Sequence, residues 1–167
     1  IQQPYDYSPL GSPEQGFAHF VPGVAEKAFV IENGYDGERW PFHEGERSVN
    51  SFITAVNSFN SPSVEALKGL DLIKQVAKGL DDYPFDIVGI SETDWPGERP
   101  SNIRCLGHVP HQEMSSVLGA HSFYLQLSLS EGFPNTICEA MLCGCIPIGS
   151  SVNGLPDIIG TYGFILE

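Results

Sequence analysis

Apolar residues in this chain alternate between two kinds of segment. Short apolar runs bounded by turn residues read as strands, and stretches with an apolar residue at every third or fourth position read as helices. The first run, 28–32, is rich in β-formers and closes on Asn33-Gly34, a turn signal. Residues 35–47 are polar and aromatic and read as irregular. In 49–56, Phe52, Ile53 and Val56 are the strand-like apolar positions. A loop of Asn, Ser and Pro at 57–63 follows. Val64, Leu67, Leu70, Ile73, Val76, Ala77 and Leu80 then predict one continuous helix ending near Gly79. The remainder reads as strand 85–89, a loop carrying Trp95, strand 103–106 ended by Gly107, and helix 112–119 after Pro110 and His111. Next come strand 122–129, helix 136–142 closed by Gly144, strand 145–149, a helical turn at 156–159 and strand 163–166.

Strands and helices alternating across short loops make βαβ units. Right-handed crossovers put helices on both faces of a mostly parallel sheet. The expected fold is therefore α/β: a Rossmann-like three-layer sandwich, with ligands taken beyond the carboxyl ends of the strands where strand order reverses. The opening residues IQQPYDYSPLGSPEQG are rich in Pro, Gly, Ser and Gln. Residues 1–27 read as a linker or a segment that packs on another region, and 28–167 as the folded domain, truncated at its C-terminus because the chain stops within an expected strand.

Composition narrows the partners. The chain has 167 residues, 41% of them apolar, and 21 acidic against 8 basic side chains give a net charge of −13. Such a surface repels nucleic acid and anionic lipid, so neither is expected as a partner. No apolar run reaches the roughly 18 to 20 residues of a membrane span. Cys105, Cys138, Cys143 and Cys145 lack metal-ligand spacing and read as small buried thiols. His108 and His111 are separated by Pro110 and have no third ligand nearby, so no metal is expected. Trp40 and Trp95 read as packing anchors. A Gly-x-Gly-x-x-Gly fingerprint is absent, as is any arrangement recognisable as an activated nucleophile. An anionic ligand could bind this acidic chain only where backbone dipoles or a few placed cations overcome its field.

The stretch from Ser128 to Ile148 offers such a place. A strand ends near Leu129, Glu131 and Gly132 turn the chain, and a helix begins after Pro134 and Asn135, with Thr136 in its first turn. A helix N-terminus presents free N–H groups and the positive end of its dipole, which together bind anions. Gly132 permits close backbone approach. Glu131 and Glu139 would repel a phosphate but can accept hydrogen bonds from sugar hydroxyls, Glu139 from a ribose and Glu131 from a second hydroxylated ring.

With seven residues between Glu131 and Glu139, and Ala140, Gly144 and Pro147 in the following tail, this segment resembles the nucleotide-binding half of retaining glycosyltransferases of the two-domain GT-B architecture. These are the family 4 type of the group 1 glycosyl transferases, which includes sucrose, starch and cell-wall lipid glycosyltransferases. Other pieces match in order: Asn33-Gly34-Tyr35-Asp36, Lys68-Gly69, Gly107-His108-Val109 and Asn153-Gly154-Leu155-Pro156-Asp157. The resemblance covers roughly residues 28 to 165.

The resemblance implies a nucleoside-diphospho sugar as donor substrate, no metal and no other cofactor. Glu139 would hold the ribose, and Glu131 the donor sugar beside the amides of Gly132 and Phe133. Asn135 and Thr136 would present the helix end to the diphosphate, and Lys68 would neutralise it. Val109 would lie at the base-contacting turn, and Asn153 and Gly154 in the loop facing phosphate and sugar. An Arg that the family carries shortly before the Lys is absent, since 57–66 holds neither Arg nor Lys. An N-terminal acceptor domain and an unidentified acceptor are implied partners, in the cytoplasm or peripherally at its membrane face. The alternative reading is an isolated nucleotide-sugar-binding module without turnover by itself.

Overall fold

The computed structural model describes residues 33–56, 66–95 and 97–167, together with Gly23 and Glu26. The expected strand at 28–32, almost all of the proposed linker and the arginine-free stretch 57–65 lie outside the described residues.

Six strands form one parallel sheet: β1 (Ser48–Ala55), β2 (Phe85–Val88), β3 (Ile103–Gly107), β4 (His121–Gln126), β5 (Ile146–Ser150) and β6 (Phe164–Leu166). Their spatial order is β3-β2-β1-β4-β5-β6. This is the doubly wound arrangement, with strand order reversing between β1 and β4. β2 is buried along its whole length, as a strand covered on both faces must be. The helices lying wholly among the described residues are α1 (Leu70–Gly79), α2 (His111–Gly119), α3 (Asn135–Leu142) and α4 (Leu155–Ile159), with a 3-10 turn at Glu92–Asp94.

Each face of the sheet carries its own core. α1 buries Leu70, Ile73 and Ala77 against Phe85, Ile87, Ile103 and Leu125. On the other face Ile137, Ala140, Leu118, Leu155 and Ile159, from α2, α3 and α4, pack on Ile53, Val88 and Tyr124. Trp40 and Trp95 are buried, one in each core, as packing anchors. Cys143 and Cys145 are buried, Cys105 and Cys138 half-buried, and all four are free thiols. Burial pushes Cys143 up to about 11 and Cys145 up to about 12, so both stay protonated at neutral pH. Cover on the α1 face fails toward one edge. Ile146, Phe164 and Leu166 share that face with Leu125 and Ile148 and remain 41%, 59% and 47% exposed.

At the amino end of the sheet Asp86 is buried against Arg104 and His121. Its carboxylate accepts a hydrogen bond from Arg104 Nε at 3.0 Å and faces His121 Nε2 at 3.0 Å, while His121 Nδ1 faces the Val117 carbonyl at 2.8 Å. Burial alone would raise the Asp86 carboxyl. The hydrogen bonds of His121 and Arg104 outweigh it and hold the group below its ordinary value.

The sequence pattern departs from this structure in one important place. The apolar repeat predicts a continuous helix through Val64 to Leu80, but the chain turns at Lys68 and Gly69, and α1 begins at Leu70. Gly69 adopts the left-handed conformation, φ 69° and ψ 27°, which glycine enters without penalty. The strand expected to run to Leu129 stops at Gln126, because the Leu129 N–H bonds to the Leu67 carbonyl at 2.9 Å instead of continuing a ladder.

Candidate functional site

The carboxyl ends of β1 and β4 flank the point of reversal, and the chemistry-bearing residues gather there. The Leu129 to Leu67 bond clamps the turn after β1 onto the loop after β4. Gly69 makes the approach possible, since a Cβ there would lie 1.8 Å from the Leu127 carbonyl oxygen. The clamp brings Lys68 to Glu131 across 63 positions of sequence, with Nζ 2.7 Å from Oε1.

Glu131 is held by more than the lysine. Its Oε1 also accepts from Ser128 Oγ at 2.7 Å and from Gln126 Nε2 at 3.0 Å. The Gln126 amide donates to Ser128 Oγ at 2.9 Å and accepts from the Tyr124 hydroxyl at 3.3 Å. A polar chain thus runs along one side of β4 from the core to the mouth of the crevice. Burial pushes the Tyr124 hydroxyl well above its ordinary value, so it remains a neutral donor. The Glu131 backbone N–H donates to Asn153 Oδ1 at 3.3 Å, and Asn153 takes φ 50°, a turn conformation that Asn tolerates. Asn153 Nδ2 is buried without a partner among the described residues. Gly154 follows at the start of α4.

Gly132, Phe133 and Pro134 carry the chain, half-buried, from Glu131 into α3. No side chain caps this helix, whose first turn carries Asn135 and Thr136, so its first N–H groups lack a cap partner. The segment before β1 lies along α3. At the helix end, the His43 N–H donates to the Cys143 carbonyl at 3.3 Å and Arg47 Nη2 to the same carbonyl at 2.8 Å. At the helix start, Asn33 Nδ2 and the Tyr35 hydroxyl donate to Asn135 Oδ1 at 3.1 and 2.9 Å. Between them opens a cavity of about 420 Å³ lined by Asn33, Tyr35, Arg39, His111, Asn135 and Glu139, among others. Trp40 packs edge-on against His111 with centroids 5.1 Å apart. Burial raises the Glu139 carboxyl above its ordinary value, and the charges of His111 and Arg39 partly offset the shift.

The expected residues therefore fall into two neighbouring groups. Lys68, Glu131 and Asn153 meet directly, while Glu139 and Asn135 share the cavity one helical turn away. Val109 packs against the core on the α3 face, and His111, two residues on, is the member of that turn that lines the cavity. Sequence reasoning missed Gln126 and Ser128. Their signal was the polar alternation Tyr124, Gln126, Ser128 within an otherwise apolar run. It also gave no individual role to Asn33, Tyr35 or Arg39.

Residues 52–167 match the family described as Glycosyl transferases group 1. O-antigen chain mannosyltransferase B of Escherichia coli is 35% identical over 71 residues, which is 42% of this chain and 19% of that protein. An uncharacterized glycosyltransferase of Methanocaldococcus jannaschii is 28% identical over 152 residues, 86% of this chain and 40% of that one. Among solved structures, the pneumococcal O-GlcNAc transferase in complex with UDP and GlcNAc superposes with TM-score 0.51 at 26% identity, covering 68% of this chain and 23% of that one. The matches span between 13% and 40% of the length of the curated relatives. No helix among the described residues is long and apolar enough to cross a membrane.

Proposed function

This chain belongs to the group 1 glycosyl transferases, and we propose that it is the half of such an enzyme that binds a nucleoside-diphospho sugar for glycosyl transfer with retention of configuration. One observation carries the reading. A lysine, a fixed carboxylate and an uncapped helix N-terminus converge at the β1/β4 reversal, with a second carboxylate one turn further along the helix. The pneumococcal relative holding UDP and GlcNAc supports the ligand class.

In this reading Glu139 accepts hydrogen bonds from the ribose hydroxyls in the 420 Å³ cavity. The N–H groups at the start of α3 and the Lys68 ammonium face the diphosphate. Glu131 orients the donor sugar, with the backbone of Gly132 and Phe133 beside it. Asn153 and Gly154 border the same space, and the base lies toward Val109. The bond between the anomeric carbon and the phosphate oxygen breaks with its electron pair passing to the diphosphate. The acceptor hydroxyl adds to the same face of the sugar, and its proton leaves to the departing phosphate oxygen. Donors aimed at the charge that develops on the leaving group stabilise the transition state without reorganising. The protein groups carry this role without a metal, so chelator leaves donor binding unchanged.

A second reading rests on the fraction of its curated relatives that the chain spans, at most 40%. By itself the chain then binds donor and turns nothing over, because the acceptor is presented by another domain. Calorimetry with UDP, GDP and ADP tests the binding. One of the three binds, and Glu139→Ala weakens it about tenfold or more, the scale of a charge-assisted hydrogen bond lost. An unchanged dissociation constant in Glu139→Ala refutes the ribose role. Adding donor sugar with acceptor alcohols to the chain then separates a turning-over enzyme from a binding module.

A further inference from the structure

Three donors converge on one oxygen of Glu131: Lys68 Nζ at 2.7 Å, Ser128 Oγ at 2.7 Å and Gln126 Nε2 at 3.0 Å. A carboxylate oxygen offers about two lone-pair directions, so one donor can leave without orphaning it. The three are not equally free to go. Ser128 is 0% exposed and Gln126 6%, whereas the Lys68 side chain is 32% exposed. Gln126 is also fixed in orientation. Its Oε1 accepts from the Tyr124 hydroxyl, which turns its amino group toward Ser128 and Glu131. A carboxylate only accepts, so the amide has a single productive orientation here.

We propose that Gln126 and Ser128 are positioning residues for Glu131, forming a neutral cradle that keeps its carboxylate in place when Lys68 turns to the diphosphate. The proposal rests on the nucleotide-sugar reading given above. Without ligand, Lys68 is engaged by Glu131. With donor bound, the lysine pivots to the diphosphate and the buried pair alone holds Oε1. Since all three hydrogen bonds fall on Oε1, Oε2 is the oxygen that accepts from a sugar hydroxyl. The same geometry divides the labour: Lys68 serves the diphosphate, and the cradle serves the sugar through Glu131.

The test is calorimetry on the full chain with UDP, GDP and ADP, then with UDP-glucose, UDP-N-acetylglucosamine, GDP-mannose and ADP-glucose. The quantity read is the sugar increment, the ratio of the dissociation constant of the diphosphate to that of its sugar. Gln126→Met and Ser128→Ala each lower the increment about fivefold, the scale of one lost hydrogen bond, and leave diphosphate affinity within about twofold. Lys68→Met does the reverse, weakening the diphosphate and sparing the increment. A merely structural role would weaken both ligands alike. Equal losses for both, or a wild-type increment in Gln126→Met and Ser128→Ala, overturn the cradle while leaving diphosphate binding, and so the broader reading, intact. If one variant fails to fold, the other decides, because each removes a separate donor. If both fail to fold, the pair is structural and the proposal is overturned. A wild-type chain that binds diphosphate without any sugar increment overturns it too, and one that binds no nucleotide overturns both readings together.

Discussion

Replacing Gly69 by alanine tests whether the β1 turn is seated on the β4 loop as the structure has it. Two costs add. Holding alanine in the left-handed region costs about 1 to 2 kcal/mol. The new Cβ would also lie 1.8 Å from the Leu127 carbonyl oxygen and 2.6 Å from its carbon. Both are backbone atoms, so no side chain can swing aside. The segment must shift by more than an ångström, which breaks the bond from the Leu129 N–H to the Leu67 carbonyl, worth about 0.5 to 1.5 kcal/mol. The expected loss is about 3 kcal/mol, read as a lower urea midpoint with an unchanged slope. The same shift draws Lys68 away from the β1/β4 crevice, so the folded variant also binds nucleoside diphosphate more weakly. Gly79→Ala is the control. Gly79 ends α1, its φ is not left-handed and a Cβ there meets nothing within 4 Å, so alanine stabilises by about 0.4 to 1 kcal/mol. Wild-type stability in Gly69→Ala refutes the packing argument. Lost stability with unchanged nucleotide affinity refutes the link to Lys68.

Three further outcomes follow from the electrostatics and hydrogen bonding. Burial raises the Glu139 carboxyl, so its ionisation in the fold opposes stability: the favourable state exists at low pH and is lost as pH rises through the folded value. Glu139→Gln therefore raises the thermal midpoint at neutral pH, with a gain over wild type that shrinks on acidification, while nucleotide binding falls. Asp86 has the opposite sign. Its folded value is depressed, so its stabilisation is present above the ordinary aspartate range and lost as pH falls through the folded value. Asp86→Ala costs about 1 to 3 kcal/mol by leaving the buried His121 ring nitrogen without its partner, and it flattens acid unfolding. Arg104→Ala, whose side chain is 69% exposed, costs less than about 1 kcal/mol. The reverse ranking in urea melts would refute this account. Tyr35→Phe removes a donor to Asn135, itself at the surface, so thermal unfolding changes little while calorimetry reads weaker nucleotide binding.

The alternation of strand and helix was legible because β2 and β4 are short apolar runs bounded by turn residues and α1 carries an apolar residue at every third or fourth position. The break at Gly69 was not. Leu67 and Leu70 keep the helical spacing straight through it, and only the approach of Leu127, 58 positions away, forces the turn. Strand order was equally hidden, since local patterns do not say that β4 lies beside β1 rather than β3. At the site, Glu131 was legible as a carboxylate beside a helix start and Lys68 through the family resemblance, and the fold joins them. Gln126 and Ser128 escaped notice because a buried polar residue on a strand is informative only once its partner is known. Tyr35 and Arg39 sit in an irregular segment whose course along α3 depends on Arg47 reaching three backbone carbonyls, those of His43, His121 and Cys143.

The thinly covered edge of the sheet has a colloidal consequence. Among the described residues β6 ends the strand order, with Phe164 and Leu166 exposed on the face where Ile146 is also exposed. An open strand edge beside apolar side chains is a template for adding a strand from another molecule. At neutral pH the net charge of −13 keeps copies apart. That protection vanishes near the isoelectric point of about 4.6. The acidity that turns away polyanions therefore also guards the β6 edge, and the chain handled alone self-associates first as the solution approaches that pH.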